Sequence, residues 1–189
     1  KHARLSPSGA ERWGDCTASV AYTEKLQADG KIPQREPDNV YAIAGVFAHD
    51  KAELMLNFLL GKGDKETPFT YKELNKRSTH KLWLEDQDFH GVKDKDILDY
   101  MADNDYTVLE DYVDYCMGEV RHKKDRVFVE VKAPLFYSDD KSETGTCDFL
   151  IEHHDGSITI VDLKWRRSGM VESFENYQLC IYSNSYIQN

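Results

Sequence analysis

Gly145–Lys164 reads GTCDFLIEHHDGSITIVDLK, and the register of this stretch decides how the chain is built. Two runs, TCDFLIEH and SITIVDLKW, are rich in β-branched and apolar residues and flank the turn residues His154, Asp155 and Gly156. A three-residue loop with Gly156 in the left-handed position of a type I turn plus bulge pairs His153 with Ser157. Continued along the hairpin, that register sets Asp148 opposite Asp162. A two-residue Asp155-Gly156 loop would shift the pairing by one and send Asp148 to the other face. The three-residue loop is the expectation, for a chemical reason.

Alternation along a strand also points Asp162 and Lys164 to one face. Two facing carboxylates in a bare core are costly, because like charges raise one another's pKa and desolvation adds to the penalty. A divalent cation removes the difficulty. Oxygen ligands from Asp148 and Asp162, a backbone carbonyl such as that of Leu163, and several waters suit Mg²⁺ or Mn²⁺. Such an ion activates water and stabilises charge growing on a phosphodiester, with Lys164 orienting the water or neutralising the transition state.

Outward from the hairpin, DRVFVEVKAPLF gives a third strand, with Val127, Val129 and Val131 on one face and Phe128, Glu130 and Lys132 on the other. A final helix is expected from near Val171 to the end. Before the strands, a long helix spans about Val40 to Leu60, ended around Gly61 and Gly63. A second covers roughly Asp105 to Lys124, with Val108, Leu109, Tyr112, Val113 and Cys116 at helical spacing. The opening LSPSGAERWGDC feeds a short helix, with Ser8 as N-cap and Glu11 at the capping-box position. Residues 64–104 are polar and poorly periodic, with short helical pieces near Thr70–Asn75 and Asp94–Met101, and read as an insertion. The order predicts an α/β or α+β core in which helices flank a mixed sheet of three or more strands.

At 189 residues the chain is long enough for one well-buried core, so a single domain over 1–189 is expected. Lys1 at the start and a helix running to the last residue raise the expectation of a fragment of a longer protein. No apolar run approaches a membrane span and no apolar signal segment opens the chain, so a cytoplasmic location and no membrane partner are expected. Four cysteines without a CxxC pair argue against a zinc ribbon or a disulfide framework. The net charge of −10 counts against nucleic acid at first sight. Yet Glu85–Asp114 alone holds eleven acids against two lysines, and the rest is close to neutral.

Four short signatures carry a family resemblance. GVFAH (Gly45–His49) matches GxxxH, GTCD (Gly145–Asp148) matches GxxD, DLK (Asp162–Lys164) matches (D/E)xK, and QLCIY (Gln178–Tyr182) matches QxxxY. In this order, on helix, strand, strand and helix, they make the chain resemble the PD-(D/E)XK nucleases, and among them the phage-type RecB-like exonuclease domains. The resemblance implies a restriction-endonuclease-like core. It implies that His49, Asp148 and Asp162 ligate the metal, that Lys164 is catalytic, and that Gln178 and Tyr182 position Lys164 or the DNA. Some related phage proteins carry an acid at the place of Glu130. Cys147 stands where the superfamily's name puts proline. Some relatives bind an iron-sulfur cluster through one N-terminal cysteine and three after QxxxY; Cys16 fits the first place, and the chain offers no others.

Blander readings stand beside these. A histidine on the helix face of Ala42, Gly45, Val46 and Leu56 is usually a core residue, with Glu53 one turn on as an acceptor for its ring. Gln178 and Tyr182, at i and i+4, hydrogen-bond locally on many helices. Arg166 and Arg167, with His122, Lys123, Lys124 and Arg126, suit a DNA-phosphate rim or a solvated surface. Trp165 closes a core or stacks a base. The acidic segment is a solvated face, or a surface that repels DNA or binds a partner. The function expected is a Mg²⁺- or Mn²⁺-dependent nuclease on linear DNA, an exonuclease in recombination, repair or phage DNA processing, with a recombination protein as possible partner. The alternative is an inactive nuclease-fold module that binds DNA or protein.

Overall fold

Three antiparallel strands carry the hairpin stretch: β1 (Arg126–Pro134), β2 (Thr144–Glu152) and β3 (Ile158–Val161), in the order β1-β2-β3. The computed structural model describes residues 4–140, 142–165 and 176–188. Seven α-helices accompany the strands among them: α1 (Ala10–Asp15), α2 (Ser19–Ala28), α3 (Val40–Leu59), α4 (Arg77–Leu84), α5 (Asp94–Ala102), α6 (Leu109–Gly118) and α7 (Tyr177–Ile187). The fold is α+β, and every strand pair among the described residues is antiparallel, where a mixed sheet was expected. No helix among them is long and apolar enough to cross a membrane.

The chain separates into two compact units. The first comprises Lys1–Arg35, Lys124–Asp162 and Met170–Asn189, and the second Glu36–Lys123 and Leu163–Gly169. In the first unit β2 is the central strand, and Cys147–Ile151 is buried throughout, which accounts for its nearly unbroken apolar run. The loop is the three-residue one. His153 N–H donates to the Ser157 carbonyl at 2.8 Å, Gly156 N–H to the His153 carbonyl at 2.9 Å, and Gly156 has φ +86°. Asp155 Oδ1 accepts from the Ser157 amide at 2.9 Å, which fixes the turn from inside. The pairs Glu152↔Ile158 through Phe149↔Val161 follow, and the pairing ends one residue short of Asp162, so the expected Asp148–Asp162 pair is not part of the ladder.

Helix α7 lies on this sheet. Tyr182 packs with Cys147 and Leu150, joined by Phe128, Ile160 and Tyr186, while Ile181 packs with Ala10 and Leu135. The helix starts at Tyr177 because Asn176 caps it, accepting from Leu179 N–H at 3.1 Å. The start expected near Val171, like Arg166 and Arg167, lies outside the described residues. Ser8 does not cap α1: it sits within a 3₁₀ turn, Pro7–Gly9, whose proline at the first position favours that turn, and its hydroxyl donates to Ser6 Oγ.

In the second unit α3 is the axis. Asn39 Oδ1 accepts from Ala42 N–H at 2.8 Å to start it. Gly61, at φ +66°, ends it, with Lys62 N–H donating to the Asn57 carbonyl and Gly61 N–H to that of Phe58, the Schellman pattern. Its inner face, Ile43, Ala44, Phe47, Ala48 and Ala52, packs with Leu74, Trp83, Leu84, Ile97, Met101 and Tyr106. Phe47 meets the rings of His80, Trp83 and Tyr106 edge-on at 4.8–5.2 Å. Residues 64–104 therefore supply much of a core, and α4 within them escapes the periodicity reading because it is only eight residues long. The helix expected over 105–124 is a 3₁₀ turn (Tyr106–Val108) followed by α6, which stops at Gly118 before the cationic run Arg121–Lys124. Trp165 closes this core, stacked on Tyr106 at 4.8 Å with the ring planes 3° apart.

Candidate metal centre

The register of the first unit sets Glu130 beside Asp148, bracketed by Val129↔Phe149 and Val131↔Cys147. Asp162 is the residue after the end of β3, and its charge acts on Cys147 together with theirs. The neighbouring row is apolar, Phe128, Leu150 and Ile160, and Tyr182 and Tyr186 of α7 cover it. The acids thus sit at the edge of a packed helix–sheet layer. Asp148 is only 9% exposed, and Glu130 and Asp148 each direct a carboxylate oxygen into a group whose ligand atoms lie within 4.8 Å of one another.

Glu130 is the one non-glycine residue with positive φ among those described, at +49°. The ladder skips it, although the count of residues on the two strands stays equal on either side. The strand pattern of β1 foretold its face and gave no sign of this backbone state.

Asp162 is held from α7. Gln178 Nε2 donates to Asp162 Oδ1 at 2.9 Å and to Tyr182 Oη at 3.0 Å, so the local pairing of Gln178 with Tyr182 and its contact with the acid are both present. Burial pushes the Tyr182 phenol up, the charges of Asp162 and Asp148 add to this, and the Gln178 hydrogen bond works against it. Tyr182 stays protonated at any physiological pH. Its ring also explains the glycine of GxxD: a Cβ on Gly145 would lie 2.7 Å from Pro7 Cγ and 2.9 Å from Tyr182 Cε1.

The Cys147 thiol registers the same field. Burial first, then the charges of Asp148, Asp162 and Glu130, push it up to about 12. Since the thiolate is the reactive form, Cys147 is inert at neutral pH. Cys116 is buried as well, whereas Cys16 and Cys180 are exposed. Titration of the native protein with an aromatic disulfide at pH 8 is expected to modify Cys16 and Cys180 promptly, and Cys116 and Cys147 only after denaturation. Prompt modification of all four would contradict the burial of the acid row.

The remaining residues from the sequence belong to the second unit. His49 lies on α3 and is half-buried, with Glu53 one turn further. Ala42 and Val46 on its stripe are exposed, so this is the border of the helix and not its core face. Leu163 packs its side chain on the α3 core. Lys164 is exposed and lines a shallow pocket with Asp103, Asn104, Asp105 and Trp165. The strand argument that aligned Asp162 with Lys164 does not apply, because β3 ends at Val161 and the alternation ends with it. Gln178 as the support of Asp162 was legible only as half of a QxxxY match.

Hard oxygen donors in a row are the donor set that Mg²⁺ or Mn²⁺ prefers, so the residues of the first unit fit the ion the resemblance implies. No curated protein and no solved structure matches the chain significantly. Residues 2–189 match the model of one family, described as "Protein of unknown function (DUF2800)", and the chain belongs to that family.

Proposed function

We propose that the protein is a divalent-metal-dependent DNA nuclease of the PD-(D/E)XK kind, acting as an exonuclease on linear DNA. The observation that carries this reading is the acid cluster, with Glu130 brought beside Asp148 by the β1–β2 register and Asp162 held close by through Gln178. Asp148 and Asp162 would hold a Mg²⁺ or Mn²⁺ ion, with Glu130 as a further oxygen donor. When bound, the ion would supply Lewis acidity toward a phosphodiester oxygen and a lowered pKa for bound water. Gln178 occupies Oδ1 of Asp162 and fixes the carboxylate in place. Tyr182 anchors Gln178 and keeps water from the helix side of the acids. From the resemblance the reading inherits His49 and the Leu163 carbonyl as further ligands, Lys164 as the group that offsets charge on the attacked phosphate, and Arg166 and Arg167 as phosphate contacts.

The deciding assay incubates end-labelled linear duplex and a covalently closed circle with the protein in Mn²⁺, Mg²⁺ or a chelator. Linear DNA is expected to shorten only with metal, and the circle to persist. Lys164→Ala is expected to slow shortening by about 10²- to 10³-fold, the loss typical of one electrostatic stabiliser. Equal activity in Lys164→Ala and wild type would sink the assignment, and DNA retention without cleavage would favour a binding module.

A further inference from the structure

Helix α4 of the second unit carries a histidine outside the acid cluster. His80 is fully buried, at 0% exposure. Its Nε2 lies 2.6 Å from the Leu74 carbonyl, which accepts its proton and so fixes the tautomer. Nδ1 is then a bare acceptor, buried and with no hydrogen-bond partner among the described residues. Around the ring stand other rings: Phe47 meets it edge-on at 5.2 Å, and Tyr106 lies at 5.4 Å.

The charged groups of the neighbouring elements are committed elsewhere. Arg77, one turn before His80, pairs with Asp99 of α5 at 2.8 Å. Asp50 of α3 accepts from Trp83 Nε1 at 2.7 Å, and Lys51 sits over the Phe47 ring. Asp105 holds Asn75 and Thr107, and Glu73 closes a capping box on Thr70. Among the described residues no carboxylate bonds the His80 ring. Burial lowers its pKa, the Leu74 hydrogen bond works against this, and the Arg77 charge lowers it further.

A proton added at Nδ1 puts a charge and a donor where neither has a partner. The element that yields is α4, which at eight residues is too short to persist alone and is kept in place by the burial of His80, Trp83 and Leu84. Tyr106, which the His80 ring touches, is stacked on Trp165, the neighbour in sequence of Lys164.

We propose that His80 is a proton switch in the second unit: when Nδ1 is protonated, α4 releases from the α3 core and the Tyr106–Trp165 stack beside Lys164 is lost. The folded unit disfavours this proton, and the opened one accepts it at the ordinary histidine value near 6.5. The unit is therefore fully held above about pH 6.5 and loosens as pH falls, by up to about tenfold in the opening equilibrium per pH unit. An effect on cleavage rests on the nuclease reading of Lys164; the opening does not.

The test is hydrogen exchange of the full chain, read by mass spectrometry at about pH 7.5 and about pH 5 and corrected for the intrinsic pH dependence of exchange. The amides of α4 are expected to lose about tenfold in protection at the lower pH, while those of β2 keep theirs. His80→Gln retains a side-chain N–H for the Leu74 carbonyl and does not titrate, so its α4 is expected to be equally protected at both. Unchanged α4 protection in wild type would overturn the proposal. So would an equal loss in wild type and His80→Gln, which assigns the effect to another group, or an equal loss in α4 and β2, which is global unfolding. The wild-type comparison of α4 with β2 decides even where the variant folds poorly. Opening without metal-dependent cleavage at any pH would remove the nuclease reading and leave the switch standing.

Discussion

Asp148→Asn is expected to abolish metal-dependent cleavage together with the stabilisation that Mg²⁺ gives. Asp148 lies beside Glu130, a carboxylate oxygen of which lies within 4.8 Å of one of its own. Asparagine keeps the shape and removes the charge. The change takes away a proposed ligand, and cleavage is expected to fall by about 10³-fold, roughly 4 kcal/mol. Added Mg²⁺ at a hundred times its dissociation constant stabilises wild type by about 2.7 kcal/mol, and the variant should show almost none of this shift. Thermal melts with and without Mg²⁺ check this. An undiminished Mg²⁺ shift in the variant would place the ion elsewhere.

Two glycines that face α7 are expected to respond with opposite sign. At Gly145 an added methyl meets Pro7 and Tyr182 below 3.0 Å, and neither ring can swing aside within a packed layer. Gly145→Ala is expected to cost about 1–3 kcal/mol, the usual overpacking penalty. By displacing Tyr182 it also loosens Gln178 and with it Asp162. At Gly14 in α1 the methyl would lie 3.6–3.8 Å from the Tyr177 ring, ordinary contact, so Gly14→Ala gains helix propensity, up to about 1 kcal/mol. Urea unfolding of the pair reads the difference directly. Equal stability of the two variants would show that the GxxD glycine is not there for Tyr182.

The register was legible because His154-Asp155-Gly156 has few ways to turn, and α3 because twenty residues of helical period are bracketed by Asn39 and Gly61. Where the reading stopped short, tertiary contacts decide. Residues 64–104 look polar because their buried residues are spread over short helices, each showing one to three side chains to the core. The strand reading carried past Val161 to Lys164 because alternation in sequence says nothing of where pairing ends. Ser8 lost its cap to Pro7, whose fixed φ favours a 3₁₀ turn first. The hold of Gln178 on Asp162 spans sixteen residues, beyond the reach of any local period.

Glu130 carries one consequence further. An L-residue at φ +49° costs roughly 1–2 kcal/mol that glycine would recover. A library selected for heat resistance alone will therefore enrich glycine at position 130, and ranking its clones by durability would discard a carboxylate that the proposed metal centre uses.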